Sequence, residues 1–301
     1  MKVVSGSSGF HLSRTAAWRP AEFFESTIHE VPPLKTNHFL WRATLVATLS
    51  ACILPVASPI QAQTGGSLTG QFVLEGDVPA ADETENVKES VCAKKVPTGE
   101  LVINKDNKGI ANVFVFIPAV KKPTVPPELA KSKDKEVLLD QKGCQFLPHA
   151  QVMRTDQVLL VRSMDNCGHN THPHPIRNAP ANFTVPANER TGLPWKVTVA
   201  ENNPTQVKCD IHPWMTAYVL VLDHPYAAVT DKDGKFKIEN LPAGELEFRY
   251  WHERVGYVTK IEKIVDGKPK IENTVKLAIA AGKTTDVGTI KIPVARFAKT
   301  N

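Results

Sequence analysis

Cys209, His212 and Met215 lie within seven positions of one another in CDIHPWM, a stretch that also holds Pro213 and Trp214. A thiolate, an imidazole and a thioether are soft or borderline donors, and together they suit one soft ion better than any hard cation. Copper needs this set: a thiolate to hold Cu(I), an imidazole for either oxidation state and a weak thioether. A lone Cys-x-x-His has other readings. With one more imidazole it can make a tetrahedral zinc site, or it can be a metal-free relic. Met215 argues against zinc, which rarely takes a thioether. A dinuclear copper centre would need a second cysteine in this loop, and the loop has one.

Elements on either side must position these donors. Gln206–Lys208 leads into the motif, and TAYVLVL (216–222) leaves it with enough apolar residues to be a buried strand. The second imidazole has to come from elsewhere in the chain. QVLLVR (157–162) reads as another strand and runs into MDNCGHNTHPHP, where His169 falls at the end of the following loop. His149, His172 and His174 read as surface or supporting histidines, with an auxiliary metal site as the alternative because histidine-rich tracts bind metal.

The stretches DQVLLVRSMDNCGHNTH (156–172) and VKCDIHPWM (207–215) resemble the cupredoxins, the type 1 blue copper proteins, and the short Cys-x-x-His-x-x-Met loop is most similar to that of the amicyanins. The resemblance covers residues 144–222 and implies a Greek-key β-sandwich. It implies His169, Cys209, His212 and Met215 as ligands of one mononuclear copper. It also implies that the Asn170 amide ties the two ligand loops together, and that the protein carries single electrons to or from a redox partner such as a cytochrome or a dehydrogenase. In such an arrangement His212 should be the ligand nearest solvent, with Pro213 and Trp214 beside it as an apolar docking face. The alternative for Trp214 is core packing. Cys167, beside His169, is not part of the family pattern.

Export decides how the other cysteines are read. FLWRATLVATLSACILPVASPI (39–60), followed by small residues, has the form of a secretory signal peptide flanked by Lys35 and Arg42 and cleaved near Ala62. Residues 1–38 show no periodicity and read as an upstream extension, with the true start near Val31 or Leu34. Leu49-Ser50-Ala51-Cys52 is similar to a lipobox and offers lipid anchoring at Cys52 as an alternative, against which apolar residues continue past it. The expected location is secreted or periplasmic, with no spanning segment once the signal is removed. Four cysteines then remain, and in an oxidising compartment Cys92 and Cys144 should form a disulfide, leaving Cys209 to the metal.

The chain of 301 residues is 42% apolar and carries a formal charge of +5 with acids and bases interspersed, which leaves no basic stripe for nucleic acid. Short strands and turns dominate, so the expected class is all-β. The division expected is 1–63 as extension and signal, 64–223 as the copper domain, 224–294 as a smaller β-sandwich and 295–301 as a tail. Residues 227–253 (AAVTDKDGKFKIENLPAGELEFRYWHE) resemble the carboxypeptidase regulatory-like, prealbumin-like sandwiches, which implies a spacer or adhesive module without catalytic residues. The main functional expectation is a non-enzymatic electron carrier. Its rival is a copper-binding or structural cell-envelope protein in which the C-terminal sandwich mediates interactions.

Overall fold

A computed structural model describes residues 65–85, 91–259, 261–265 and 268–298, so the signal segment, Cys52 and residues 1–38 lie outside the described residues. Among the described residues regular structure is strand apart from three short 3-10 turns, Ala119–Lys121, Pro127–Leu129 and Val294–Phe297. The protein is an all-β fold of several sheets. No helix among these residues is long and apolar enough to cross a membrane.

The candidate metal ligands lie within a sandwich of two sheets. One has the order Phe183–Val185, His169–His174, Thr205–Lys208, Thr216–Leu222, Ala150–Arg154, and the other Leu193–Trp195, Val158–Ser163, Glu136–Gln141, Phe146–Leu147. The chain crosses from one sheet to the other after Ala150–Arg154 and back again before His169–His174. Alternation along Val158–Ser163 sends Leu159, Val161 and Ser163 inward, where the two apolar residues meet Leu139, Val207, Val219 and Val221 in a common core. Thr216–Leu222 is buried on both faces at its end, because Leu220 and Leu222 pack away from that core against Phe114, Phe116 and Ala150.

A second sandwich wraps chain from both sides of the first. Gly66–Glu75 lies between Lys235–Leu241, antiparallel, and Thr284–Pro293, parallel. Phe114–Phe116 lies between Ala227–Val229 and Gly244–His252. The division at 223/224 therefore separates strands that pair with one another: Gly66–Glu75 and Phe114–Phe116, expected in the copper domain, build their ladders with the C-terminal strands. NVFVFI explains how one short strand serves both sandwiches. Val113, Val115 and Ile117 join Leu68, Phe72, Phe236 and Tyr250 on one side, while Phe114 and Phe116 face Leu220 and Leu222 on the other. The turn at Asp231–Gly234 is a passage between sheets, since Ala227–Val229 and Lys235–Leu241 pair with different partners. Gly234 is required there: it has φ +76°, and an added Cβ would lie 2.1 Å from the Phe72 carbonyl oxygen. The tail also reaches the core through Phe297, which is buried edge-on to His252.

Candidate metal centre

Backbone alternation sorts the histidines of HNTHPH. His169, Thr171 and Pro173 point into the sandwich, whereas His172 is half-buried and His174 exposed on the outer face. The Thr205–Lys208 strand runs antiparallel beside them, pairing Lys208 with His172, so Cys209 follows directly at the same end of the sheet as His169. Two backbone bonds close the loop beyond it, Cys209 N to Met215 O at 3.1 Å and Met215 N to His212 O at 2.8 Å. Asn170 ties loop to strand: its Oδ1 accepts from Asp210 N at 2.6 Å, and its Nδ2 donates to Asp210 Oδ2 at 2.9 Å.

This folding brings three donors together. His169 Nδ1 and His212 Nδ1 are 2.9 Å apart, Cys209 Sγ is 3.8 Å from His212 Nδ1, and the three donor atoms all lie within 4.8 Å of one another. His169 and His212 are fully buried and Cys209 is 1% exposed, so water is kept from all three. Metal bonds of imidazole nitrogen are ~2.0–2.1 Å long, which the separation of the two nitrogens permits. Burial pushes the Cys209 thiol above its ordinary value, while hydrogen bonds at Asn170, His212 and Ile211 act in the opposite direction. A metal taken up here must therefore displace a thiol proton. Met215 is buried in the same apolar cluster as Cys209. The residues present fit a soft or borderline ion.

Asp165 is a member of the site that sequence reasoning missed. Its Oδ2 lies 3.0 Å from His169 Nε2, and it also accepts from Gly143 N at 2.6 Å and Cys144 N at 2.9 Å. A carboxylate can only accept, so Nε2 carries the hydrogen and Nδ1 turns its lone pair toward Cys209 and His212. The one available signal was an acid four residues ahead of a proposed ligand.

A disulfide joins Cys92 to Cys144 with Cα atoms 5.7 Å apart. It covers the centre. Sulfurs of Cys92 and Cys167 lie within 4.8 Å of each other and of a His212 ring nitrogen, and Cys167 Sγ is 3.6 Å from His169 Nε2. Trp214 is half-buried, with its ring centre 5.2 Å from that of His212 and its Nε1 donating to Cys144 O at 3.1 Å. The expectation that His212 is the ligand nearest solvent is thus corrected: the Cys92–Cys144 segment and Trp214 lie over it. What the loop does expose is Pro213 and Ile211, the latter 43% accessible. His149 stands apart from the centre, half-buried and paired through Nε2 with the Glu253 carboxylate.

No protein-family model matches the chain, and no curated protein sequence matches it. Solved structures similar to parts of it include a mutant amicyanin in its Cu(I) form, with 17% identity, a TM-score of 0.25, and coverage of 36% of this chain and 97% of that one. Another is the copper-containing nitrite reductase from Thermus scotoductus, with 19% identity, a TM-score of 0.24, and coverage of 35% of this chain and 26% of that one. At such identities and TM-scores these likenesses add nothing to what the residues of the centre show by themselves.

Proposed function

We propose that the protein is an exported, mononuclear type 1 copper protein that carries one electron at a time. The observation that supports this reading is the convergence of His169 Nδ1, His212 Nδ1 and Cys209 Sγ in a buried cluster, with Met215 packed beside them. Bound copper would supply reversible one-electron chemistry between Cu(II) and Cu(I). The chain holds the donors still for it: Asn170 ties the Cys209 loop to the His169 strand, and Asp165 sets the tautomer of His169. Thiolate and thioether donors favour copper over hard cations, and Met215 disfavours zinc. The Cys92–Cys144 disulfide supports an oxidising compartment. For the outlet we assign Trp214, half-buried against His212, with Ile211 and Pro213 as the small apolar surface on which a cytochrome or dehydrogenase would dock.

One observation favours the rival, a copper-binding or structural envelope protein that merely holds its metal: none of the donors reaches the surface. Mixing the copper-loaded protein with reduced and then oxidised cytochrome c separates the two. An electron carrier takes up and returns one electron per copper. A protein that keeps its copper in one oxidation state through both mixings is a holder and not a carrier.

A further inference from the structure

The outer face of the His169–His174 strand carries a cluster that the buried centre does not use. Residues two apart on a strand share a face, and His172 and His174 do so with ring centres 4.1 Å apart. His172 Nδ1 lies 3.0 Å from Asp210 Oδ2 and 3.2 Å from Asp210 Oδ1. Because the carboxylate accepts, Nδ1 carries the hydrogen and Nε2 is left as the lone-pair nitrogen, the arrangement in which metal-binding imidazoles are oriented. Asp210 is itself fixed, accepting from Asn170 Nδ2 and Asn182 Nδ2, each at 2.9 Å. Lys208, directly across the ladder from His172, is an opposing charge that is exposed enough to swing away.

We propose that His172 and His174 form a second, solvent-facing metal site that captures copper(II) and loads the buried centre. Both sites belong to the same two segments of chain, since Asp210 follows Cys209 and His172 lies on the strand of His169. The buried donors need such a station, because none of them meets solvent. The loading role rests on the copper reading of the buried centre; the outer site does not.

The test uses full-length protein freed of metal and titrated with copper(II) in the presence of glycine as a weak competitor, followed by calorimetry and electron paramagnetic resonance. Cys209→Ser removes the buried thiolate, with His212→Ala as the substitute should that variant fail to fold. Either variant should still bind one copper(II) with nitrogen splitting from two imidazoles. Adding His172→Gln and His174→Gln should abolish that binding, and in the otherwise unaltered protein the same pair should slow loading of the buried centre by at least about ten-fold. Equal binding with and without the two histidines overturns the outer site. Unchanged loading in their absence overturns the loading role. Copper bound in the Cys209→Ser protein but never at the thiolate of the unaltered chain would sink the buried centre instead and leave the outer site standing.

Discussion

Replacing Asp165 by Asn tests whether the carboxylate orients the metal ligand or only braces the fold. In the native protein Oδ1 accepts from Gly143 N, and Oδ2 accepts from both Cys144 N and His169 Nε2. The two backbone groups can only donate. An amide offers a single oxygen, so its NH2 must meet either Gly143 N–H or the pair formed by Cys144 N–H and His169. The first arrangement frees only the exposed Gly143 N–H, which water can satisfy, so it costs little stability. The second turns His169, because its Nε2 becomes an acceptor and the hydrogen moves to Nδ1, where it blocks the metal. Loss of a carboxylate behind a ligating imidazole lowers metal affinity about 10–100-fold, or ~1.4–2.8 kcal/mol. Competition with a copper chelator measures the affinity, and a melt of the metal-free protein measures the stability separately. Removing a negative charge beside the site should also raise the reduction potential of the copper protein. An Asp165→Asn protein that melts normally and binds copper within two-fold of the native affinity would refute the reasoning.

The Cys92–Cys144 disulfide spans 52 positions, and loop-closure entropy assigns a bridge of that span about 4 kcal/mol; urea unfolding of the double serine variant should show a loss near that size, and a loss under about 1 kcal/mol would contradict it. A chain ending at Asp223 lacks every strand that pairs with Gly66–Glu75 and with Phe114–Phe116. It should unfold without cooperativity in circular dichroism, and a well-folded, copper-binding truncate would show the second sandwich to be dispensable. Acid should destabilise the fold through His224 and His252, which burial lowers to about 4 and about 3. Both stay neutral when folded while the unfolded chain gains protons below about 6.5, so their contribution is complete above that value and is lost as the pH falls toward 4. Glu253, raised by its burial, works against this trend. His224→Asn and His252→Asn, whose amide oxygens can replace the acceptors of Tyr226 N and Arg254 N, should flatten the slope of stability against pH between 6.5 and 4.5; an unchanged slope would place the acid sensitivity elsewhere.

Local pattern carried the centre of the site well. The motifs singled out His169 and read His172 and His174 as surface or supporting histidines, and the seven-residue turn from Cys209 to Met215 is short enough to bring the thiol and His212 close together. What lay beyond reading were contacts made at long range. The parallel pairing of Gly66–Glu75 with Thr284–Pro293 has no local signature, since each strand alternates by itself as it would in any sheet. Burial of His212 was misjudged for the same reason: its cover comes from Cys92 and Cys144, both more than sixty positions upstream. The acidic role of Asp165 is legible only once the hairpin that holds Gly143 and Cys144 has been placed beside it. NVFVFI is an instructive middle case, because its five consecutive apolar residues announce a strand buried on both faces without saying which two cores it joins.

The central claim is that Cys209 binds copper as a thiolate within a set completed by two imidazoles. The visible absorption spectrum of the copper(II)-loaded protein, recorded beside that of Cys209→Ser, tests it most directly. The account predicts an intense blue or green thiolate-to-copper band that the substitution abolishes. A colourless protein that takes up zinc stoichiometrically and rejects copper, or a spectrum that Cys209→Ser leaves unchanged, would contradict it.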